Sequence, residues 1–167
     1  MHFTPGIVAG VVWKELSKYH DRRGWLCELF RQDELDKQFV PVMAYASVTE
    51  PGITRGPHEH VDQADYFCFF GPSDFKLYLW DTRPFSRSRG IVQVEIIGAS
   101  RPTAVIVPPG VVHAYRNVGD VPGLVFNCPN RLYKGWGKSD PVDEIRHEDI
   151  VNSPFVMDDE LRSARSA

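Results

Sequence analysis

Several short apolar runs crowd the middle of this chain, and turn residues bound each of them. YFCFF (Tyr66–Phe70), FKLYLW (Phe75–Trp80), IVQVEII (Ile91–Ile97), TAVIVPPG (Thr103–Gly110) and GLVFN (Gly123–Asn127) are rich in β-branched and aromatic residues. Between them lie GPSD, DTRPFSRSRG, GASRP and NVGDVPG. Short strands punctuated this often by Gly, Pro and Asp predict an all-β sandwich or barrel. GIVAGVV (Gly6–Val12) reads as a further strand, since no basic region precedes it and Trp13-Lys14-Glu15 follows at once, unlike a signal peptide. Helical periodicity is confined to DELDKQF (Asp33–Phe39) and the tail from Met157.

A chain of 167 residues without repeats or a low-complexity linker predicts one domain. Its core spans about residues 10–127. NRLYKGWGKSDPVDEIRHEDIVNSPF is polar, yet holds Tyr133, Trp136 and Phe155, so residues 128–160 are expected to fold over the core as a short helical or irregular cover. The net charge of −3 argues against nucleic-acid and membrane-surface partners, which need a basic excess. No apolar run approaches the roughly 20 residues of a membrane helix. Cys27, Cys68 and Cys128 are odd in number and widely spaced, as expected of reduced thiols in a cytoplasmic protein.

Two stretches carry the chemistry. RGPHEHVDQAD offers His58, His60 and Asp65; PPGVVHAYRN makes a turn and then points His113 inward along a strand. Together they resemble the two motifs of the cupin superfamily, which implies a double-stranded β-helix, or jelly roll, with a site inside the barrel.

A narrower resemblance runs through the chain in order. DRRGWLCE supplies D-x-R-G-x-x-x-E, SVTEPGITRGPH supplies S-x7-R-G-x-H, DTRPFS supplies D-x-R-x-x-S, and PPGVVH supplies P-x-G-x-x-H. These patterns are similar to those of the dTDP-4-dehydrorhamnose 3,5-epimerase family. The resemblance implies a metal-independent epimerase of a nucleotide-linked 4-keto-6-deoxy sugar, acting at C3, C5 or both, without a cofactor and as a homodimer paired through amino-terminal strands. It places His58 as the general base. Arg23, Glu28, Arg55, His60 and His113 fall at substrate-binding positions, and Tyr133 falls at the sugar pocket as a catalytic residue. Guanidinium forks suit a diphosphate, because they make paired charge-assisted hydrogen bonds. The carboxylate that orients the base is nearest Asp149, with Asp143 and Asp81 as alternatives.

Three positions depart from the family pattern. Phe126 falls where the proton-donating tyrosine is expected, which predicts inversion at fewer centres, at C3 only, unless Tyr45, Tyr66 or Tyr133 substitutes. Asp65 falls where a lysine holds the enolate. Met43 and Tyr45 replace a polar pair that reads the base. Two rival readings follow: a metal-dependent cupin isomerase or oxygenase built on His58, His60, Asp65 and His113, and a catalytically silent sugar-nucleotide binder.

Overall fold

The computed structural model describes residues 2–157. In chain order its strands are β1 (Thr4–Pro5), β2 (Val12–Glu15), β3 (Lys18–Asp21), β4 (Gly24–Cys27), β5 (Tyr45–Thr49), β6 (Thr54–Glu59), β7 (Asp65–Phe69), β8 (Asp74–Asp81), β9 (Ile91–Gly98), β10 (Thr103–Val107), β11 (Val111–Asn117), β12 (Gly123–Asn127) and β13 (Ile145–Arg146). One sheet runs β1-β9-β8-β11-β6-β13 and the other β2-β10-β7-β12-β5, while β3 and β4 form a separate ribbon. All pairings are antiparallel except β1 with β9. This is the jelly roll of the cupin class.

The apolar runs are continuous because both faces of their strands are covered. Successive side chains alternate across a strand. Phe67 and Phe69 of β7 therefore join Phe75, Leu77, Leu79, Val105, Val107, Tyr115 and Val125 between the sheets. Tyr66, Cys68 and Phe70 face the other way, onto Leu16 and Phe39 with Leu29 and Leu35 beside them. On the outer face of the six-stranded sheet, Tyr78, Trp80, Val112 and Ala114 are covered by Phe155 and Met157.

Two expectations need correction. Gly6–Val11 is not a strand: the Val8 amide donates to Gln93 Oε1 (2.9 Å), the Ala9 amide to Ser88 Oγ (2.7 Å), and Gly10 turns the chain at φ +85°. Val8 is thereby buried in the core, and pairing begins only at Val12. DELDKQF forms turns, not a helix; it is too short to nucleate one in isolation, and Asp36 Oδ1 accepts from the Gln38 amide (2.8 Å). The cover is mainly irregular: among the described residues it holds one 3-10 turn at Trp136–Lys138 and the two-residue β13. The helical periodicity of the tail falls at residues 158–167, outside the described residues.

Candidate active site

β6 and β11 lie side by side and bring the two histidine motifs into register, with His58 opposite His113. The pairing slips by one residue between His113 and Tyr115, a bulge that re-aims the strand beside the site. The R-G-x-H pattern needs its glycine here. Gly56 has φ +84°, and a Cβ on it would fall 2.5 Å from the His113 carbonyl oxygen.

A cleft of about 1750 Å³ opens over this pair. Arg55 and His58 line it from β6, His60 from just beyond that strand, Tyr45 and Ser47 from β5, Tyr115 from β11, and Tyr133, Trp136, Glu144 and Arg146 from the cover. The Arg55 guanidinium donates to Thr49 Oγ1 (2.9 Å) and to the Val48 carbonyl (2.8 Å), which fixes its plane at the wall. Tyr133 is half exposed and held by its amide against Met43 Sδ (3.2 Å).

The three histidines differ in state. His58 and His113 meet edge to face with ring centroids 4.4 Å apart. Burial, together with the neighbouring His113 and His60 rings, pushes the His58 imidazole down to about 2, so it is neutral. Burial also works against charge on His60, but hydrogen bonding and attraction to Asp65 outweigh it and raise His60 to about 9. His60 Nε2 is 3.1 Å from Asp65 Oδ2, and its Nδ1 faces the Asp143 carbonyl. The Asp65 carboxylate at Nε2 and the Asp143 carbonyl at Nδ1 favour charge on this ring. His113 is buried behind the cleft wall, donating Nδ1–H to the Val111 carbonyl (3.0 Å) with Nε2 3.3 Å from Asp65 Oδ2.

Asp65 is the hub of this network. It is 1 % exposed, and its Oδ1 accepts from Asn127 Nδ2 (2.8 Å) and Gln63 Nε2 (2.9 Å). Burial alone would raise its carboxyl; the bonds to His113 and His60 hold it well below the usual range. The negative charge that stands where a lysine was expected is therefore turned onto histidines, and the group facing the cleft is the His60 cation.

The same contacts weigh against the metal reading. Ligand nitrogens of His58, His60 and His113 fall within 4.8 Å of one another. Both nitrogens of His60, however, are engaged, Nδ1 with the Asp143 carbonyl and Nε2 beside Asp65 and Gln63. Asp65 serves four side chains and not a shared centre.

None of the three carboxylates weighed in the sequence pairs with His58. Asp149 is exposed and does not line the cleft. Asp81 is wholly buried among Arg83, Ser86 and Ser88, accepting at 2.5 to 3.1 Å, so D-x-R-x-x-S locks a loop. Asp143 caps the amides of Val61, Asp62 and Gln63. The carboxylate beside His58 is Glu144, with Oε1 4.0 Å from His58 Nδ1. Asn127 and Gln63 were likewise not singled out in the sequence, although Asn127 follows from alternation once Val125 is placed inside.

Phe126 lies on the far face of β12, packed against Phe70 (5.8 Å between centroids) in the outer cluster. It does not line the cleft, so the argument from its missing hydroxyl to fewer inverted centres, and to a silent binder, fails. Tyr66 is excluded as a substitute, since its hydroxyl donates to the Leu29 carbonyl (2.8 Å) on that same face. Tyr45, Tyr115 and Tyr133 do reach the cleft. Arg23 and Glu28 do not: Arg23 is paired with Asp21 (2.5 Å) on the β3–β4 ribbon, and Glu28 lies 3.9 Å from Arg31 just beyond it.

Fold and cleft together define a cupin with three histidines gathered at its cleft. Within that class the chain belongs to the dTDP-4-dehydrorhamnose 3,5-epimerase family, whose model matches residues 6–141. It is 34% identical over 122 residues to a probable low-salt glycan biosynthesis epimerase of Haloferax volcanii, covering 72% of this chain and 77% of that one. It is 35% identical over 128 residues to a spore coat polysaccharide biosynthesis protein of Bacillus subtilis, covering 76% and 83%. Among solved structures it resembles a dTDP sugar isomerase from Desulfovibrio desulfuricans (TM-score 0.72, 23% identity, 83% of this chain and 84% of that one). It also resembles a 3'-monoepimerase from Streptomyces bikiniensis bound to dTDP-quinovose (TM-score 0.69, 22% identity, 97% and 85%).

Proposed function

We propose that this chain inverts a carbon next to the ketone of a dTDP-linked 4-keto-6-deoxy sugar, with His58 as the base. The observation that carries the reading is the His58 imidazole in the cleft wall, with the Glu144 carboxylate beside it and the His60–Asp65 pair next to it. A proton α to a ketone is weakly acidic, so its removal needs a positioned base and a stabilised enolate. With Nδ1 turned toward Glu144, Nε2 of His58 is the nitrogen left for the substrate. Glu144 then holds the imidazolium as it forms, which offsets the burial that weakens the free base. The His60 cation supplies positive charge to the enolate from across the wall. Tyr45 is the reprotonating hydroxyl: its oxygen accepts from Asn127 Nδ2 (2.8 Å), so its own hydrogen is free for the cleft. Which of C3 and C5 is inverted follows from how the sugar lies between His58 and Tyr45.

The reaction needs no metal in this reading, because the enolate is met by protein charge. The chain works as one domain and as a homodimer. The β3–β4 ribbon leaves Tyr19 and Leu26 about 60% exposed (59% and 62%) and keeps Arg23 away from its own cleft. On a second copy the ribbon would deliver Arg23 and Glu28 to a diphosphate. A cytoplasmic enzyme that prepares sugars for a surface glycan fits both relatives. The test is to incubate the sugar nucleotide with protein and chelator in D₂O. Deuterium next to the ketone supports the reading; none, or incorporation only with added metal, overturns it.

A further inference from the structure

Glu59 and His147 make a further histidine–carboxylate contact, on the opposite face of the sheet from the cleft. His147 Nε2 donates to Glu59 Oε1 (2.8 Å), and the two side chains are only 13% and 15% exposed. Neither lines the cleft. The His147 ring packs on Phe155 (4.5 Å between centroids), and Phe155 packs on Trp80 (5.7 Å) in the cluster that covers the outer face. The His147 and Glu148 amides both donate to the Pro57 carbonyl (2.9 and 3.0 Å). The cover is thus fastened to the back of the barrel as soon as it has crossed the edge of β6.

What is fastened there decides what faces the base. β13 pairs with the end of β6, Ile145 against Glu59 and Arg146 against His58. Glu144, Arg146 and Glu148 line the cleft while Ile145 and His147 do not, which is the period of two of an extended chain. A slip of one residue would turn His147 inward and Glu144 outward. A slip of two would keep the facing but carry Glu144 about 7 Å along the strand, at about 3.3 Å per residue. β13 is only two residues long, so its register depends on what holds the segment at either end. Asp143 fastens the near end on the amides of Val61, Asp62 and Gln63, and His147 fastens the far end. An apolar side chain against Phe155 would tolerate a slip. A hydrogen bond between two nearly buried polar groups is satisfied in one register and leaves both groups unpaired in the others. In that register Arg146 Nε donates to Glu144 Oε2 (2.9 Å), which leaves Oε1 toward His58.

We infer that the Glu59–His147 pair is a register pin for the cover: it positions Glu144 at His58 from the far face of the sheet, without touching substrate. This role rests on the reading of His58 as the base and Glu144 as its counter-charge, and it makes Glu59 and His147 positioning residues for proton transfer.

Replacing both partners by apolar groups separates register from stability, because a buried polar pair exchanged for packed apolar side chains is close to neutral for folding. Glu59→Leu with His147→Phe should therefore melt close to wild type. Its kcat on a dTDP-linked 4-keto-6-deoxy sugar should fall about tenfold or more, with KM and dTDP affinity within about threefold. In a Glu144→Gln background the same two changes should cost no more than about twofold, since the group they position is already disabled. Glu59→Gln, which keeps an acceptor for His147, should retain kcat within about threefold of wild type. If the apolar pair does not fold, His147→Ala, which leaves Glu59 room for water, reads the same difference between the two backgrounds. Wild-type kcat in the folded apolar pair would overturn the inference. So would an equal loss in both backgrounds, the mark of a merely structural contact, or a Glu59→Gln loss as large as that of the apolar pair. Wild-type kcat for Glu144→Gln alone would overturn the counter-charge reading itself, a failure distinct from that of the pin.

Discussion

Asp65→Asn separates charge from shape at the base of the site. Asn127 and Gln63 both donate to Oδ1, while the Nε2 atoms of His60 and His113 face Oδ2 at 3.1 and 3.3 Å. An asparagine with its oxygen at the first position and its amide at the second satisfies all four, provided both imidazoles are neutral at Nε2. Their Nδ1 atoms already face the carbonyls of Asp143 and Val111, so that tautomer is available. The variant should therefore fold, with His60 uncharged. In the wild type His60 rises from 6.5 to about 9, which at about 1.4 kcal/mol per pKa unit is worth about 3 kcal/mol. At pH 7.5 a group titrating near 9 is about 97% protonated, and one returned to 6.5 about 9%. The ring centre of His60 is 5.7 Å from that of His58. A unit charge about that far from a developing enolate would contribute about 3 kcal/mol at an effective dielectric of about 20, against which stands its repulsion of the forming His58 imidazolium. Turnover at pH 7.5 should accordingly fall about tenfold, the ratio of the two protonated fractions, with little change in nucleotide affinity. The pH dependence has a defined sign. His60 binds its proton more tightly folded than unfolded, so its stabilisation is complete below about pH 6.5 and is lost as pH rises through about 9. The wild type should lose stability and turnover across that alkaline window, and the variant should lose neither there. Imidazole NMR together with turnover reads both quantities. A variant with neutral His60 and turnover within threefold of wild type would refute the argument, as would a wild-type His60 titrating near 6.5.

Other outcomes follow from the same geometry. Glu144→Gln should lower turnover about 10- to 100-fold by leaving the His58 imidazolium without its counter-charge, whereas Asp149→Asn should leave it near wild type; steady-state rates with a 4-keto sugar nucleotide decide. Tyr45→Phe should slow inversion more than solvent exchange, seen as deuterium uptake without a change of configuration, while Phe126→Tyr should change neither because its ring lies on the outer face. Mixing inactive His58→Asn and Arg23→Ala proteins should restore activity in mixed dimers, up to about a quarter of sites, if the ribbon crosses between copies; no recovery would place Arg23 outside the site.

Local pattern made the strands legible. YFCFF and GLVFN are bounded by turns and alternate in facing, so their positions could be read, and the R-G-x-H and P-x-G-x-x-H spacings put His58 and His113 on strands that meet. What the sequence concealed depended on facing and on distant partners. Phe126 and Asn127 are adjacent, and only the pairing of β12 with β7 decides which of them looks inward. Glu144 reaches His58 because β13 pairs with the end of β6, an event set by a two-residue strand in an irregular segment. Asp65 looked like a charge reversal in isolation; its meaning changed once two imidazoles were found against it. GIVAGVV had strand composition, but the Val8 and Ala9 amides found side-chain acceptors more than 75 residues away (|i−j| of 85 and 79).

The central claim is that His58 removes the proton. Solvent-deuterium exchange into a dTDP-linked 4-keto-6-deoxy sugar, followed carbon by carbon by NMR, measures that step without requiring inversion. For His58→Asn the account predicts exchange slowed by about 10²- to 10⁴-fold, with dTDP affinity unchanged. Exchange within a few-fold of wild type, at undiminished nucleotide affinity, would contradict it.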